Sequence, residues 1–265
     1  SLSSIVQEVT NAVEAGYKEV TLLGQNVNSY RYEEYKFPQL LENIANIPNL
    51  ERIRYTSPHP EDINDELLQI MSKYDNICNY VHLPLQSGSN KILKRMNRTY
   101  SKEHFLSLVN RIRNALPNVG ISTDIIVGFP GESDNDFDET LDVMKKVEFD
   151  SAFNFKYSVR RGTKASEYED QIPEQIKQER LQRVIDLQKE HTLNRNLKIV
   201  GTSQKVLVEK ESKMLKTQWA GRTDSNKWVV FDKENVKIND IISVKINEAK
   251  GITLYGHLIQ ILEAA

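Results

Sequence analysis

Helix-period and strand-period segments take strict turns over residues 1–198, and that alternation leaves few folds open. The chain opens on a helical pattern in which Ile5, Val9, Ala12 and Val13 recur at helical spacing and Gly16 stops the run. Ser4 followed by Gln7 has the spacing of a capping box. A β-rich run from Glu19 to Gly24 follows. Helical patterns then cover 38–47, 63–74, 90–96, 101–115 and 133–147, and strands are expected at 52–57, 80–84, 121–128 and 152–157. Ser133 with Asp136 marks the start of the helix over 133–147, and Pro173 opens a long helix reaching Lys198. Strands separated by helices pair in parallel through right-handed crossovers. The expected class is therefore α/β: a partial parallel (β/α) barrel, because only five strands are predicted where a closed barrel takes about eight. A crossover helix with no strand ahead of it suggests a barrel short of its first βα unit.

The pattern changes after Ile199. SQKVLVEK, TQWAGRT, KWVVFD, IISVKINEA and TLYGHLIQI read as five short strands, which predicts a small five-stranded, OB-like β-barrel. The expected domains are 1–198 and 199–265. The net charge of −2 divides into about −4 before this boundary and +2 after it, a weak pointer to an anionic partner for the second domain.

One cysteine, Cys78, rules out an intrachain disulfide and points to a reducing, cytoplasmic setting. No apolar run approaches the ~20 residues of a membrane span, so no membrane partner is expected. His59, His82, His104, His191 and His257 show no ligand spacing, and no metal site is predicted from this chain.

In parallel barrels the working residues gather where strands run into the loops that follow them. Those positions are Gly24-Gln25-Asn26, Ser57-Pro58-His59-Pro60, Pro84–Gly88, Gly128–Glu132 and Ser158–Thr163. The segments Gln86-Ser87-Gly88 and Gly128–Glu132 combine pliable backbone with polar side chains, as a grip on a small polar ligand requires. Asp124 is a carboxylate inside the apolar strand ISTDIIVG; it needs a ligand, a cationic partner or solvent to satisfy it. In the second domain, Lys205, Lys213, Lys216, Arg222, Lys227 and Lys245 interleave with Trp219, Trp228 and Phe231. Basic side chains would neutralise phosphates while aromatic rings stack on bases. The competing reading puts the aromatics in the barrel core, and for Phe231 and Trp228 it is the better one.

These motifs carry a resemblance. EVTLLGQNVNSY, RIRYTSPHP, HLPLQSGSNKILKRMNR, ISTDIIVGFPGES and YSVRRGTKA are similar in order and spacing to the radical-SAM methylthiotransferases. LVEK, GRTDSN and VVF resemble the RNA-binding TRAM domain that ends those enzymes. LLGQNVNSY is similar to the branch acting on isopentenyl-adenosine next to the tRNA anticodon; sister branches act on another tRNA base or on a ribosomal protein. The resemblance implies S-adenosylmethionine and two 4Fe-4S clusters in the intact parent. This chain, with one cysteine, is expected to hold no cluster, to start beyond the parent's CxxxCxxC loop and to be inactive alone, with no catalytic residue of its own. By motif position, Gln25, Asn26, Ser57, Gln86, Asp124, Gly128 and Glu132 are the candidates for the S-adenosylmethionine and base pocket. Lys213, Lys216, Trp219, Arg222 and Asn226 are the candidates for contact with a tRNA anticodon stem-loop. Arg161 stands where the family usually has proline, and Lys210 where glycine is common. Two other readings remain open: an RNA-binding module without catalysis, and an independent metal-free barrel enzyme using Asp124 as base.

Overall fold

A computed structural model describes residues 1–56 and 59–262. The elements of its first part are α1 (Leu2–Glu14), β1 (Glu19–Leu22), β2 (Arg31–Tyr32), β3 (Tyr35–Lys36), α2 (Phe37–Ala45), β4 (Arg52–Tyr55), α3 (Asp65–Lys73), β5 (Tyr80–His82), α4 (Asn90–Arg95), α5 (Lys102–Ala115), β6 (Gly120–Val127), α6 (Asp134–Val147), β7 (Ser151–Lys156) and α7 (Glu174–Leu197). β1 pairs with β4, β5 with β6 and β6 with β7, all in parallel. The two pieces meet at Ile53, whose N–H donates to Asn76 and whose carbonyl accepts from Cys78, just ahead of β5. Five parallel strands thus follow one another in chain order, with helices as crossovers. Ile53, Val81, Leu83, Ile121, Ile125 and Val127 turn one face of the sheet toward the helices, where they meet Leu41, Leu67, Phe105, Phe137 and Met144 in the main core.

Two local features depart from the sequence reading. α1 is capped by Ser1, whose hydroxyl accepts from the Ser4 N–H; Ser4 already sits in the first turn, and Gln7 bonds Asn11 instead. β2 and β3 form a hairpin that the sequence does not announce, because its left-handed residue is Glu33 (φ 53°) and not the glycine or asparagine such turns favour.

β8 (Ser203–Glu211), β9 (Gln218–Thr223), β10 (Trp228–Asp232), β11 (Ile241–Lys250) and β12 (Thr253–Leu262) close a barrel in the order β10-β12-β11-β8-β9. All its pairings are antiparallel except β10 with β12. Val206, Val208, Val229, Phe231, Ile242, Val244, Ile246 and Leu254 fill it. Phe231 is core, as its alternation predicts. Trp228 is not; it lies at the surface under Lys210, whose Nζ is 4.1 Å from the ring centre.

The turn between β9 and β10 is pressed into the N-terminal end of the parallel sheet. Arg52, 1% exposed, donates to the carbonyls of Arg222 and Thr223, both at 2.9 Å. Arg54 donates to Thr223 O at 2.7 Å and Asp224 O at 3.2 Å. Glu19 lies between the two guanidinium groups, 3.1 and 3.0 Å away, which offsets their mutual repulsion. Beside them Lys227 reaches Asp150 at 2.6 Å and Asn196 at 3.0 Å. Gly120 is glycine for a steric reason: a Cβ there would fall 2.4 Å from the Ser225 carbonyl oxygen.

Candidate functional site

Side chains alternate across a strand, so the residues opposite the helix-packed set define a second sheet face. From N-terminal to C-terminal end it presents Glu19, Arg52, Arg54 and Tyr80, then Thr21, His82, Ser122, Asp124, Phe153 and Phe155. The β9–β10 turn covers the first group. The second is open: Phe153 and Phe155 are 58% and 51% exposed, and the Asp124 side chain 27%. Asp124 therefore finds its partner on the neighbouring strand. His82 Nε2 lies 3.4 Å from its Oδ2, and the His82 ring packs edge-on against Phe153 with centroids 5.9 Å apart. His82 Nδ1 is 2.7 Å from Ser122 Oγ, which is 2.5 Å from the Tyr80 hydroxyl. Asn226 in turn hydrogen-bonds the Tyr80 phenol. Burial raises the Tyr80 pKa, and the bonds from Ser122 and Asn226 act against it.

The remaining pocket candidates fall into distinct environments. Gln25 and Asn26 are exposed just beyond β1. Gln86 is buried with a left-handed backbone (φ 68°); its N–H donates to Asp124 O, so the two residues sit level in the sheet. The loop that follows is tied to α6, because Ser89 and Lys91 bond Asp136 at 2.7 and 2.8 Å. Gly128 and Glu132 do not face the open sheet. A Cβ on Gly128 would meet the Lys177 side chain at 2.4 Å, so α7 lies over this loop. One Glu132 oxygen accepts from Gly128 N and from Arg180, each at 2.8 Å, while the other is buried without a protein partner. Burial pushes the Glu132 pKa up against the pull of the Gly128 N–H and Arg180. These two residues shape the loop from behind. Ser57 lies outside the described residues.

The five RNA candidates also divide. Lys213 and Lys216 project from the exposed turn between β8 and β9, beside exposed Met214 and Leu215. Trp219 starts β9 there, donating its indole N–H to Val236 O at 3.0 Å beneath the Lys233 ammonium. Arg222 and Asn226 lie at the other end of β9, about 17 Å along a strand of that length. There Arg222 bonds Glu209 at 2.6 Å and Asn226 Oδ1 at 3.1 Å, within the contact between the domains.

Sequence reasoning missed His82, whose spacing to Asp124 carries no motif and whose role comes from strand register. It also missed Asn28, which clamps the loop after β4 by donating to His59 O at 2.9 Å and accepting from His59 N at 2.6 Å. The repeated amide in GQNVN was the available signal.

Residues 1–144 match the Radical SAM superfamily. The chain belongs to that superfamily. Residues 198–259 of this radical SAM protein match the TRAM domain. It is 46% identical over 96% of its length to a tRNA-2-methylthio-N(6)-dimethylallyladenosine synthase of Carboxydothermus hydrogenoformans, covering 59% of that protein. A protein of the same name from Thermoanaerobacter sp. is 45% identical over 97% of the chain, which covers 55% of it. The chain thus spans a little over half the length of these relatives. Coproporphyrinogen III oxidase (HemN) from Escherichia coli, described as a radical SAM enzyme, shares the fold at a TM-score of 0.54 and 13% identity, over 84% of this chain and 59% of that one.

An iron–sulfur cluster is held by several thiolates. This radical SAM chain has one cysteine, and Cys78 is 3% exposed at the domain contact, 3.5 Å from Arg52 Nε. Burial raises its pKa, which opposes the thiolate that ligation needs. Among the described residues no group of three metal-ligating side chains converges. The residues present do not fit a cluster, and no chemical step is assigned to one here. The open sheet face does suit a nucleoside-sized ligand, offering an accessible carboxylate beside accessible aromatic rings.

Proposed function

We propose that the chain is part of a cytoplasmic enzyme that methylthiolates isopentenyl-adenosine next to the tRNA anticodon, using S-adenosylmethionine and two 4Fe-4S clusters. The observation that carries this reading is the even similarity, 46% identity over 96% of the chain, to relatives named for that product, through both domains. In this reading Gln25, Asn26, Gln86 and Asp124 line the pocket for S-adenosylmethionine and the substrate base, with Ser57 in the neighbouring loop. Gly128 and Glu132 set the shape of the loop behind it. Lys213, Lys216 and Trp219 meet the phosphates and bases of the anticodon stem-loop, while Arg222 and Asn226 hold the RNA-binding barrel to the parallel domain. The cluster thiolates come from elsewhere in the parent protein, since Cys78 is sealed.

Disrupting the gene that encodes this chain should remove the 2-methylthio nucleoside from digested tRNA and leave its dimethylallyladenosine precursor to accumulate. An unchanged nucleoside profile would overturn the assignment. A second reading, RNA binding without turnover, suits the 265-residue chain taken alone, because its one cysteine is buried. The chain should bind an anticodon stem-loop, and replacing Lys213 and Lys216 by alanine should lower the salt dependence by roughly two counterions. A salt slope identical in both proteins would count against this face as the RNA contact.

A further inference from the structure

The hydrogen-bonded chain that ends at Asp124 has a direction. Asn226 Oδ1 accepts from Arg222, so its amide N–H₂ is turned to the Tyr80 oxygen. Tyr80 then has its proton free for Ser122 Oγ at 2.5 Å, and Ser122 passes its own proton to His82 Nδ1 at 2.7 Å. This order places the imidazole proton on Nε2, facing Asp124 Oδ2 at 3.4 Å. Serine, histidine and aspartate also occur together in hydrolases, but here Ser122 is fully buried and bonds the nitrogen opposite the carboxylate. It cannot reach a substrate. The exposed end of the chain is Asp124, and among the described residues its Oδ1 forms no hydrogen bond or ion pair. Phe153, the register partner of Asp124, stands beside it on the same face, followed by Phe155. Below them the β9–β10 turn closes the face, so a ligand enters only from the C-terminal ends of the strands.

From this we propose that Asp124 and Phe153 form a subsite for an adenine ring, Asp124 accepting from the exocyclic amino group and Phe153 supporting the flat of the ring. His82 is a positioning residue for Asp124. The choice of adenine over other flat amino-bearing rings rests on the function proposed above. Both S-adenosylmethionine and the tRNA nucleoside carry that ring. An ionised carboxylate only accepts hydrogen bonds, so the site distinguishes a ring that bears an amino group from one that lacks it.

The test is a set of titrations of the 265-residue chain with adenosine and with purine riboside, which lacks the amino group, followed by protein NMR. Adenosine should bind about tenfold more tightly, the effect of one hydrogen bond to a charged acceptor. Asp124→Leu should abolish that preference, and Phe153→Ala, at an exposed position, should weaken both nucleosides alike while keeping it. His82→Gln should reduce the preference without shifting the weaker affinity for purine riboside. S-adenosylmethionine and N6-dimethylallyladenosine are then titrated in turn; the one that Asp124→Leu weakens identifies the source of the ring. Equal binding of adenosine and purine riboside, tighter binding of guanosine, or insensitivity of every ligand to both Asp124→Leu and Phe153→Ala would overturn the subsite. Stem-loop binding in the same preparation separates the outcomes. If it persists while the nucleoside preference is absent, this inference alone falls; if it is lost as well, the RNA reading beneath it falls too.

Discussion

Asp136 shows how much of the site's support rests on one carboxylate. Burial works against its charge, but Lys91, Ser133 and Ser89 all donate to it and hold its carboxyl well below the usual carboxylate range. A carboxylate lowered in the folded state stabilises the fold above its unfolded pKa of about 4, and that contribution is lost as pH falls through the folded value. Denaturant melts of Asp136→Asn should therefore show less loss of stability between about pH 5 and pH 2 than the parent protein. Parallel curves for the two proteins would show that the anchor is not electrostatic. Asn28 is the comparable residue on the other side of the site. Asn28→Ala removes two bonds to the His59 backbone and should cost about 1–3 kcal/mol in urea unfolding. Asp124 was legible as an anomaly, a charge in an apolar strand, but its partner was not, because His82 is brought beside it by strand register across 42 residues of chain.

At the scale of elements, the decisive piece is the turn from β9 to β10. Its residues GRTDSN look like a polar, RNA-facing loop, yet Thr223 is buried and its backbone carbonyls are the acceptors for Arg52 and Arg54. Gly120→Val would set a side chain against the Ser225 carbonyl, whose backbone cannot yield without leaving the sheet. That variant should expose the linker after α7 to limited proteolysis at least several-fold faster while each domain keeps its own secondary structure. Unchanged cleavage would mean the turn adapts. Lys210, unusual for the family at its position, follows the β8 bulge at Glu209 and covers the Trp228 ring. A cation over an indole is worth roughly 0.5–1 kcal/mol at an exposed site, so Lys210→Gly should lower stability by about that amount. Arg161 lies exposed in the loop after β7, and nothing in the structure explains why it replaces proline.

The whole molecule joins its two domains through charge rather than through a shared apolar core. Asp150 is buried, which raises its pKa, but Lys227 and Arg195 outweigh that effect and keep it ionised. Lys227→Met leaves Asp150 with Arg195 alone and should cost about 3 kcal/mol, the usual penalty for breaking a buried ion pair. Calorimetry should then resolve two unfolding transitions, one for each domain, where the parent chain shows one. A single transition in the variant would mean that the arginine–carbonyl contacts suffice.

Local pattern carried the elements. Helical and strand periods, Gly16, and Ser133 with Asp136 each act within a few residues, so the alternating α/β order and the five strands of the β-barrel were readable from the chain. The burial of Cys78 could not be deduced from its neighbours, nor could the separation of Arg222 and Asn226 from Lys213 and Lys216. Nor did sequence show that Gly128 and Glu132 turn toward α7 while His82 and Phe153 turn toward Asp124. Those outcomes depend on strand register and on which end of the sheet the second domain covers. Both are set by contacts between residues as far apart as Arg52 and Thr223, and such contacts leave no periodic trace in a single sequence.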